Sequence, residues 1–417
     1  MGKFIINGGN ELVGELKIQG SKNAALPLLA ASLLSDEEVV LCNVPDLIDV
    51  QNMCKIMHDL GVTTIKGKEG EIHIRANKAD SYTIASPTAK ELRSSIFLLG
   101  AILSKKKKAI VSYPGGCDIG LRPIDIHIKA LKDLGVEIEE KAGYVYCDAS
   151  KMRPGEVYLE YPSVGATENV ILASVKTNGY TILHNAAREP EIVELQNFLN
   201  KMGAKITGAG STKIIIQGKE YLNGTKYTVM PDRIVAGTYL ISLLMNGGEI
   251  GFKGLKRNHI HSLLCKLPKN SCFLRYNNDI IYIQSQGRPR SVDHITTMPY
   301  PGFPTDLQAP FMALQCISDG TCVITENIFE NRFHHVPELR KMGADIIIQD
   351  RTAIVKGVKE LVGAEVYAHD LRGGAALVLA GLVAKGVTVV NDIYHIDRGY
   401  ERMEETLNKL GANITRI

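Results

Sequence analysis

Cys117 and Arg122 lie five positions apart in Tyr113-Pro-Gly-Gly-Cys-Asp-Ile-Gly-Leu-Arg-Pro-Ile-Asp-Ile-His-Ile128, which places a nucleophilic sulfur near a fixed positive charge. Gly115, Gly116 and Gly120 open backbone angles closed to other residues, and Pro114 and Pro123 fix the two ends. Pro123 suits the first turn of a helix, where a missing N–H costs nothing. The stretch reads as a catalytic lid over residues 113–123. Unpaired N–H groups at the helix entrance, together with Arg122, would lower the thiol pKa or grip an anion. On this stretch alone, a hinge loop with an incidental buried cysteine is an equal reading. Asp118 adds a negative charge that is expected to act on the thiol rather than on a reaction.

The second chemical feature is Asp306 in Pro301-Gly-Phe-Pro-Thr-Asp-Leu-Gln308. A carboxylate at a helix start among cations stays ionised and can take a proton from an alcohol. An N-cap aspartate needs no such role. Its cationic company is extensive. The helix entries of one series are Lys22-Asn23, Arg93, Thr167, Arg233, Asp306 and Arg372; those of a second are Asp49, Arg122, Arg188-Glu189, Lys256-Arg257, Arg332 and Arg398. A helix start carries partial positive charge, so each basic residue there is unfavourable by roughly 0.3–1 kcal/mol. The repetition points to a trap for phosphate and carboxylate, with two domains expected to turn their helix starts toward each other. The bland reading, arginines paired with neighbours such as Glu91 or Asp397, is favoured for any single residue.

The elements that must hold these residues repeat. Leu60-Gly-Val62, Leu134-Gly-Val136, Met202-Gly-Ala204, Met342-Gly-Ala344 and Leu410-Gly-Ala412 each close an amphipathic helix and open a strand, and Leu267-Pro-Lys269 is a degenerate sixth copy. An earlier helix of small and apolar residues precedes each one: 24–34, 91–103, 166–175, 234–245, 307–317 and 373–383. The unit therefore reads helix, strand, helix, strand, hairpin strand, repeated six times. Helices apolar on every side belong inside, with sheets outside. The sixth unit lacks its hairpin strand, and the amino terminus is expected to supply it. Phe4–Asn7 and Glu15–Ile18 read as a hairpin through Gly8-Gly9-Asn10. The expected domains are 21–229, carrying the lid, and 1–20 with 230–417.

Composition sets limits. The chain has 417 residues, 45% of them apolar, and a net charge of +3, so nothing global points to nucleic acid or to membrane insertion. Eight cysteines without a C-x-x-C pair suit a reducing, cytoplasmic setting. No metal or other cofactor is expected, since no His/Cys/Asp cluster has ligand spacing; His259-x-His261 reads as helix surface. No G-x-G-x-x-G follows a strand, which argues against a Rossmann enzyme.

Six motifs in order along essentially the whole chain resemble the UDP-N-acetylglucosamine enolpyruvyl transferase family. They are Gly20-Ser-Lys-Asn-Ala-Ala25, Pro114-Gly-Gly-Cys-Asp-Ile-Gly120 with Arg122-Pro123, Asn185-Ala-Ala-Arg-Glu-Pro-Glu191, Phe303-Pro-Thr-Asp306, Glu330-Asn-Arg-Phe333 and His395-Ile-Asp-Arg-Gly-Tyr-Glu-Arg402. The resemblance implies a two-domain inverted (inside-out) α/β barrel and transfer of the enolpyruvyl group of phosphoenolpyruvate to the 3′-hydroxyl of UDP-N-acetylglucosamine, the first committed step of peptidoglycan synthesis. By motif, Lys22, Arg122 and Arg398 look like phosphoenolpyruvate ligands, with Arg93 and Arg372 nearby. Cys117 is similar to the lid thiol that acts as acid toward the methylene carbon and is alkylated by fosfomycin, and Asp306 matches the base on the sugar hydroxyl. Asn23, Ser163, Val164, Gly165, Ile328 and Arg332 fall where the family contacts the nucleotide or amino sugar, and Asp370 falls beside the arginine at 372.

Enolpyruvylshikimate phosphate synthase shares the fold and the phosphoenolpyruvate chemistry but lacks this cysteine loop. A non-catalytic regulatory paralogue that holds the nucleotide sugar is a rival of another class, against which the set Lys22, Cys117, Asp306 and Arg398 speaks. Cys117→Ser is expected to reduce turnover strongly and to abolish fosfomycin labelling; a mutant that still takes up the label removes Cys117 from this role.

Overall fold

The computed structural model describes residues 2–84, 93–113, 124–269, 271–285 and 287–417; the expected lid residues 114–123, Cys117 and Arg122 among them, lie outside these. The described chain divides into two compact units. One comprises Met1–Gln19 with Pro231–Ile417, the other the described residues of 20–230. Each unit has its own apolar core.

The inner helices follow from composition. Arg233–Asn246 is buried from Arg233 to Met245, and Leu371–Val383 from Arg372 to Leu382. They pack on each other and on Gln308–Ile317. In the other unit, Lys22–Ala31 and Val164–Ser174 are buried almost throughout, and both flank Phe97–Lys106. Small residues permit the close approach. A Cβ on Gly100 would lie 2.5 Å from the carbonyl oxygen of Asn169, so only glycine fits there.

Among the described residues, six four-stranded sheets cover these helices, all with one order: a parallel edge strand, the strand after the inner helix, the hairpin strand, and the strand after the outer helix. The sequence reading supplied three of the four. Apart from Glu15–Ile18, read as half of a hairpin, it missed the parallel edge strand, which precedes each inner helix and is as short as Thr83–Ile84. Two edge strands are also exchanged. Leu12–Lys17, ahead of the helix Lys22–Ala31, pairs with Gly248–Lys253, while Lys226–Thr228, ahead of Arg233–Asn246, pairs with Val39–Cys42.

The outer helices end alike. Gly61, Gly135, Gly203, Gly343 and Gly411 have φ of +87°, +85°, +101°, +90° and +103°. Each donates its N–H to a carbonyl three residues back, and the next residue reaches the carbonyl five back: Val62 to Met57, Val136 to Leu131, Ala204 to Leu199, Ala344 to Leu339 and Ala412 to Leu407. This is the paired closure of a Schellman motif. An L-residue such as alanine would hold that angle at a cost of roughly 1–2 kcal/mol. The copy with Pro268 lacks this closure; its helix Arg257–Leu264 ends at Cys265.

The amino-terminal strand fills the sixth sheet as expected. Lys3–Asn7 runs antiparallel between Val387–Asn391 and Asn413–Arg416. The expected hairpin does not form, because Leu12–Lys17 belongs to a different sheet. The glycines that suggested a turn serve a helix end instead: Gly9 N–H donates to Leu382 O at 2.8 Å, and a Cβ on Gly8 would lie 2.5 Å from Ala384 O.

Two expected helix starts are also corrected. Arg398 is the C-cap of the short helix Tyr394–Asp397, and the following helix begins only at Met403, after Arg402 at φ +44°. Arg332 lies in turns ahead of the helix Val336–Lys341. Asp397, expected as a neighbourly partner, pairs with Arg416 at 2.6 Å.

Candidate functional site

In the unit built from both chain ends, four of the singled-out residues converge. Asp306 stands in the 3-10 turn Thr305–Leu307 that leads into Gln308–Ile317. Its Oδ1 accepts from Arg332 Nη2 at 3.1 Å and its Oδ2 from Arg372 Nη2 at 3.0 Å. Both arginine side chains are almost wholly buried, at 4% and 3% exposure, whereas the aspartate keeps 27%. The carboxylate is thus the accessible end of a buried charge cluster. Two charge-assisted bonds, one to each oxygen, fix its plane.

The arginines are themselves held. Arg372 is the second residue of Leu371–Val383, where the helix dipole disfavours a cation. The N-cap Asp370 offsets this, accepting from Arg372 N at 2.9 Å and Gly373 N at 3.0 Å. Burial works against ionisation of Asp370, but the Arg332 charge and these N–H groups hold its carboxyl below the usual range. Burial likewise works against the Arg372 charge, and Tyr400, Asp306 and Asp232 keep it protonated. The guanidinium lies over the Tyr400 ring, 5.3 Å from its centroid, and Tyr400 Oη is 2.9 Å from Thr238 Oγ1. Arg332 Nε and Arg372 Nε and Nη1 have no hydrogen-bond partner among the described residues, leaving buried donors in reserve. His335, 1% exposed, faces Asp370 and Arg332; burial pushes its ring down to about 4, so it is neutral at pH 7.

Glu326 was not singled out in the sequence, yet it ties this cluster together. It accepts from Thr297 Oγ1 at 2.9 Å, Thr305 Oγ1 at 3.0 Å, Ile328 N at 2.8 Å and Phe329 N at 3.1 Å. Ile328 is therefore anchored through the same carboxylate that holds the residue before Asp306. Arg398 belongs to this unit, half-buried, at the C-cap already described.

In the other unit the expected residues occupy two helix starts. Lys22 opens Lys22–Ala31, capped by Ser21, and its Nζ meets Asp49 Oδ2 at 3.1 Å, with side chains 11% and 6% exposed. Asn23 follows it in the same turn. Ser163 caps Val164–Ser174 by accepting from Ala166 N at 3.3 Å, which sets Val164 and Gly165 in the first turn. Thr167 Oγ1 accepts from Ala187 N at 3.0 Å and joins this helix to the Asn185–Glu191 motif. Arg93 begins the 3-10 segment Arg93–Ile96. Among the described residues no group of three or more His, Cys, Asp or Glu is arranged to hold a metal ion.

Glu168 is the unexpected neighbour. It is wholly buried, and neither carboxyl oxygen has a hydrogen-bond partner among the described residues. Burial pushes its carboxyl well above the ordinary 4.5, and Glu191 and Glu189 push the same way. Folded Glu168 keeps a proton that the unfolded chain releases above pH 4.5, so this residue withdraws stability as pH rises from there. Glu168→Gln is expected to raise the urea midpoint at pH 8 by more than at pH 4; an equal gain at both pH values contradicts a protonated Glu168.

A family model described as EPSP synthase (3-phosphoshikimate 1-carboxyvinyltransferase) matches residues 6–407. The chain is 50% identical over 418 residues to UDP-N-acetylglucosamine 1-carboxyvinyltransferase 2 of Caldanaerobacter subterraneus subsp. tengcongensis, covering 100% of both chains. It is 45% identical over 418 residues to UDP-N-acetylglucosamine 1-carboxyvinyltransferase of Pseudoalteromonas atlantica, again covering 100% of both. Among solved structures it resembles the enolpyruvyl transferase NikO from Streptomyces tendae, with TM-score 0.88 and 24% identity over 100% of this chain and 98% of that one. It also resembles EPSP synthase from Acinetobacter baumannii, with TM-score 0.73 and 19% identity over 100% of both. These two likenesses bear on the fold, an inverted α/β barrel of six repeats. The chain belongs to the EPSP synthase family of carboxyvinyl transferases and, within it, to the UDP-N-acetylglucosamine 1-carboxyvinyltransferases.

Proposed function

We propose that this protein transfers the enolpyruvyl group of phosphoenolpyruvate to the 3′-hydroxyl of UDP-N-acetylglucosamine and releases phosphate, acting in the cytoplasm at the first committed step of peptidoglycan synthesis and so in cell-wall growth and division. The observation that carries this is the Asp306 carboxylate, partly exposed with each oxygen fixed by a buried guanidinium. As the sugar oxygen attacks C2 of phosphoenolpyruvate, Asp306 takes the hydroxyl proton and Cys117 supplies one to the C3 methylene, giving a tetrahedral phosphate ketal. Loss of a C3 proton with expulsion of phosphate restores the enol in the product. An anionic substrate group that draws either arginine away frees a carboxylate oxygen to take the hydroxyl proton.

Lys22, Arg122 and Arg398 hold phosphoenolpyruvate in this reading, with Arg93 and Arg372 adding positive charge that stabilises the doubly anionic intermediate. Asn23, Ser163, Val164, Gly165, Ile328 and Arg332 contact the nucleotide sugar, and Asp370 orients Arg372. Cys117 is the residue fosfomycin modifies.

Phosphate release from phosphoenolpyruvate is expected with UDP-N-acetylglucosamine as acceptor and not with shikimate 3-phosphate; the reverse preference, or release with neither, overturns the proposal. Asp306→Ala is expected to lower kcat by about 10²–10⁴-fold while nucleotide-sugar binding is largely kept, and a mutant of near-parental kcat removes Asp306 as the base.

A further inference from the structure

Glu326 is 1% exposed and stands directly after the strand Thr321–Thr325, whose parallel neighbour is His294–Thr296. Its two oxygens serve different segments. Oε2 accepts from Thr305 Oγ1 at 3.0 Å, one residue before Asp306. Oε1 accepts from Ile328 N at 2.8 Å, Phe329 N at 3.1 Å and Thr297 Oγ1 at 2.9 Å. Thr297 Oγ1 in turn accepts from Asn327 N at 2.9 Å, which ties the loop after Glu326 to the end of the adjoining strand.

The carboxylate therefore reaches Asp306 by two routes. One is the chain itself, through Thr305. The other is Phe329, whose ring centroid lies 5.4 Å from the guanidinium carbon of Arg332, the residue that donates to Asp306 Oδ1. The oxygen that fixes Phe329 also fixes Ile328. A buried carboxylate must have its bonds made, yet that requirement is indifferent to where the donors come from. Here they come from the turn of the candidate base and from the loop assigned to the nucleotide sugar.

We infer that Glu326 is a positioning residue that sets two parts of the site at once. Through Thr305 it places the turn carrying Asp306, and through the N–H groups of Ile328 and Phe329 it places the loop that receives the nucleotide sugar. The inference rests on the proposed roles of Asp306 as base and Ile328 as a nucleotide-sugar contact. Its consequence is a division between the two oxygens: the Oε2 bond bears on kcat, and the Oε1 bonds bear on KM for UDP-N-acetylglucosamine. Glu326 itself touches no reacting atom.

The experiment uses the full chain and follows phosphate release from phosphoenolpyruvate. Thr305→Val removes the Oε2 donor while keeping the shape of the side chain. It is expected to lower kcat about tenfold with KM for UDP-N-acetylglucosamine within about twofold, and Thr305→Ser to return kcat to within about threefold of the parent. Glu326→Gln can turn its Nε2 toward Thr305 Oγ1, which is able to accept, and keep its amide oxygen on the three Oε1 donors. Its KM is expected to stay within about threefold of the parent, and that of Glu326→Ala to rise about tenfold above it. Should Glu326→Ala not fold, Glu326→Asp, too short to span both segments, takes its place. Equal KM values for Glu326→Gln and the truncated variant overturn the nucleotide-sugar half. A Thr305→Val protein with unchanged kcat, or with a loss that Thr305→Ser does not recover, overturns the base half and leaves the proposed reaction standing. A parent that releases no phosphate with UDP-N-acetylglucosamine overturns that reaction and the inference together.

Discussion

A partly exposed carboxylate gripped by two buried guanidiniums is the constraint around which the unit of Pro231–Ile417 is arranged. Burying a guanidinium is unfavourable by several kcal/mol unless opposite charge and hydrogen bonds accompany it. Arg332 and Arg372 have Asp306 between them, and Arg372 has Asp232 and the face of Tyr400 as well. Removing Asp306 would take one charged acceptor from each arginine, and removing either arginine would leave the carboxylate held through a single oxygen. Glu326 extends the same logic to the loop carrying Ile328. The geometry of the candidate base is thus fixed by groups whose own stability depends on it.

The repeats explain why such groups gather at helix starts. An inner helix buried on all sides can present polar side chains only at its ends, and there the backbone N–H groups are unpaired. Basic residues at these starts oppose the helix dipole, and the structure shows the compensation residue by residue. Asp49 meets Lys22, Asp232 caps the helix that begins at Arg233, and Asp370 caps the one carrying Arg372. Asn169 shows the same economy inside a helix, its amide bonded to Gly100, Ile96 and His127.

Much of this could be read from sequence because it is periodic. The glycine junctions announced five helix ends through a backbone angle only glycine adopts cheaply, and the missing sixth hairpin strand pointed to the amino terminus. Five of the parallel edge strands escaped because two or three residues are too few to show an alternation, and the exchange of two edge strands is a long-range fact with no local signal. Gly8-Gly9 looked like a hairpin turn because a turn and a helix-end contact ask for the same residue. Asp306, Arg332, Asp370 and Arg372 were found by motif, whereas Glu326, Glu168 and Asn169 were not. A buried polar residue with its partners in distant segments has the same spelling as an exposed one. Cys117 and Arg122, the residues that opened the sequence reading, lie outside the described structure.

The most direct test of the account is a double-mutant cycle joining Asp306→Asn and Arg372→Gln, read in kcat/KM for UDP-N-acetylglucosamine. If the arginine acts by holding the carboxylate, the two losses overlap, and the double mutant falls short of their product by tenfold or more. Losses that simply multiply would mean that Arg372 and Asp306 act separately, and the interaction on which the account depends would be incidental.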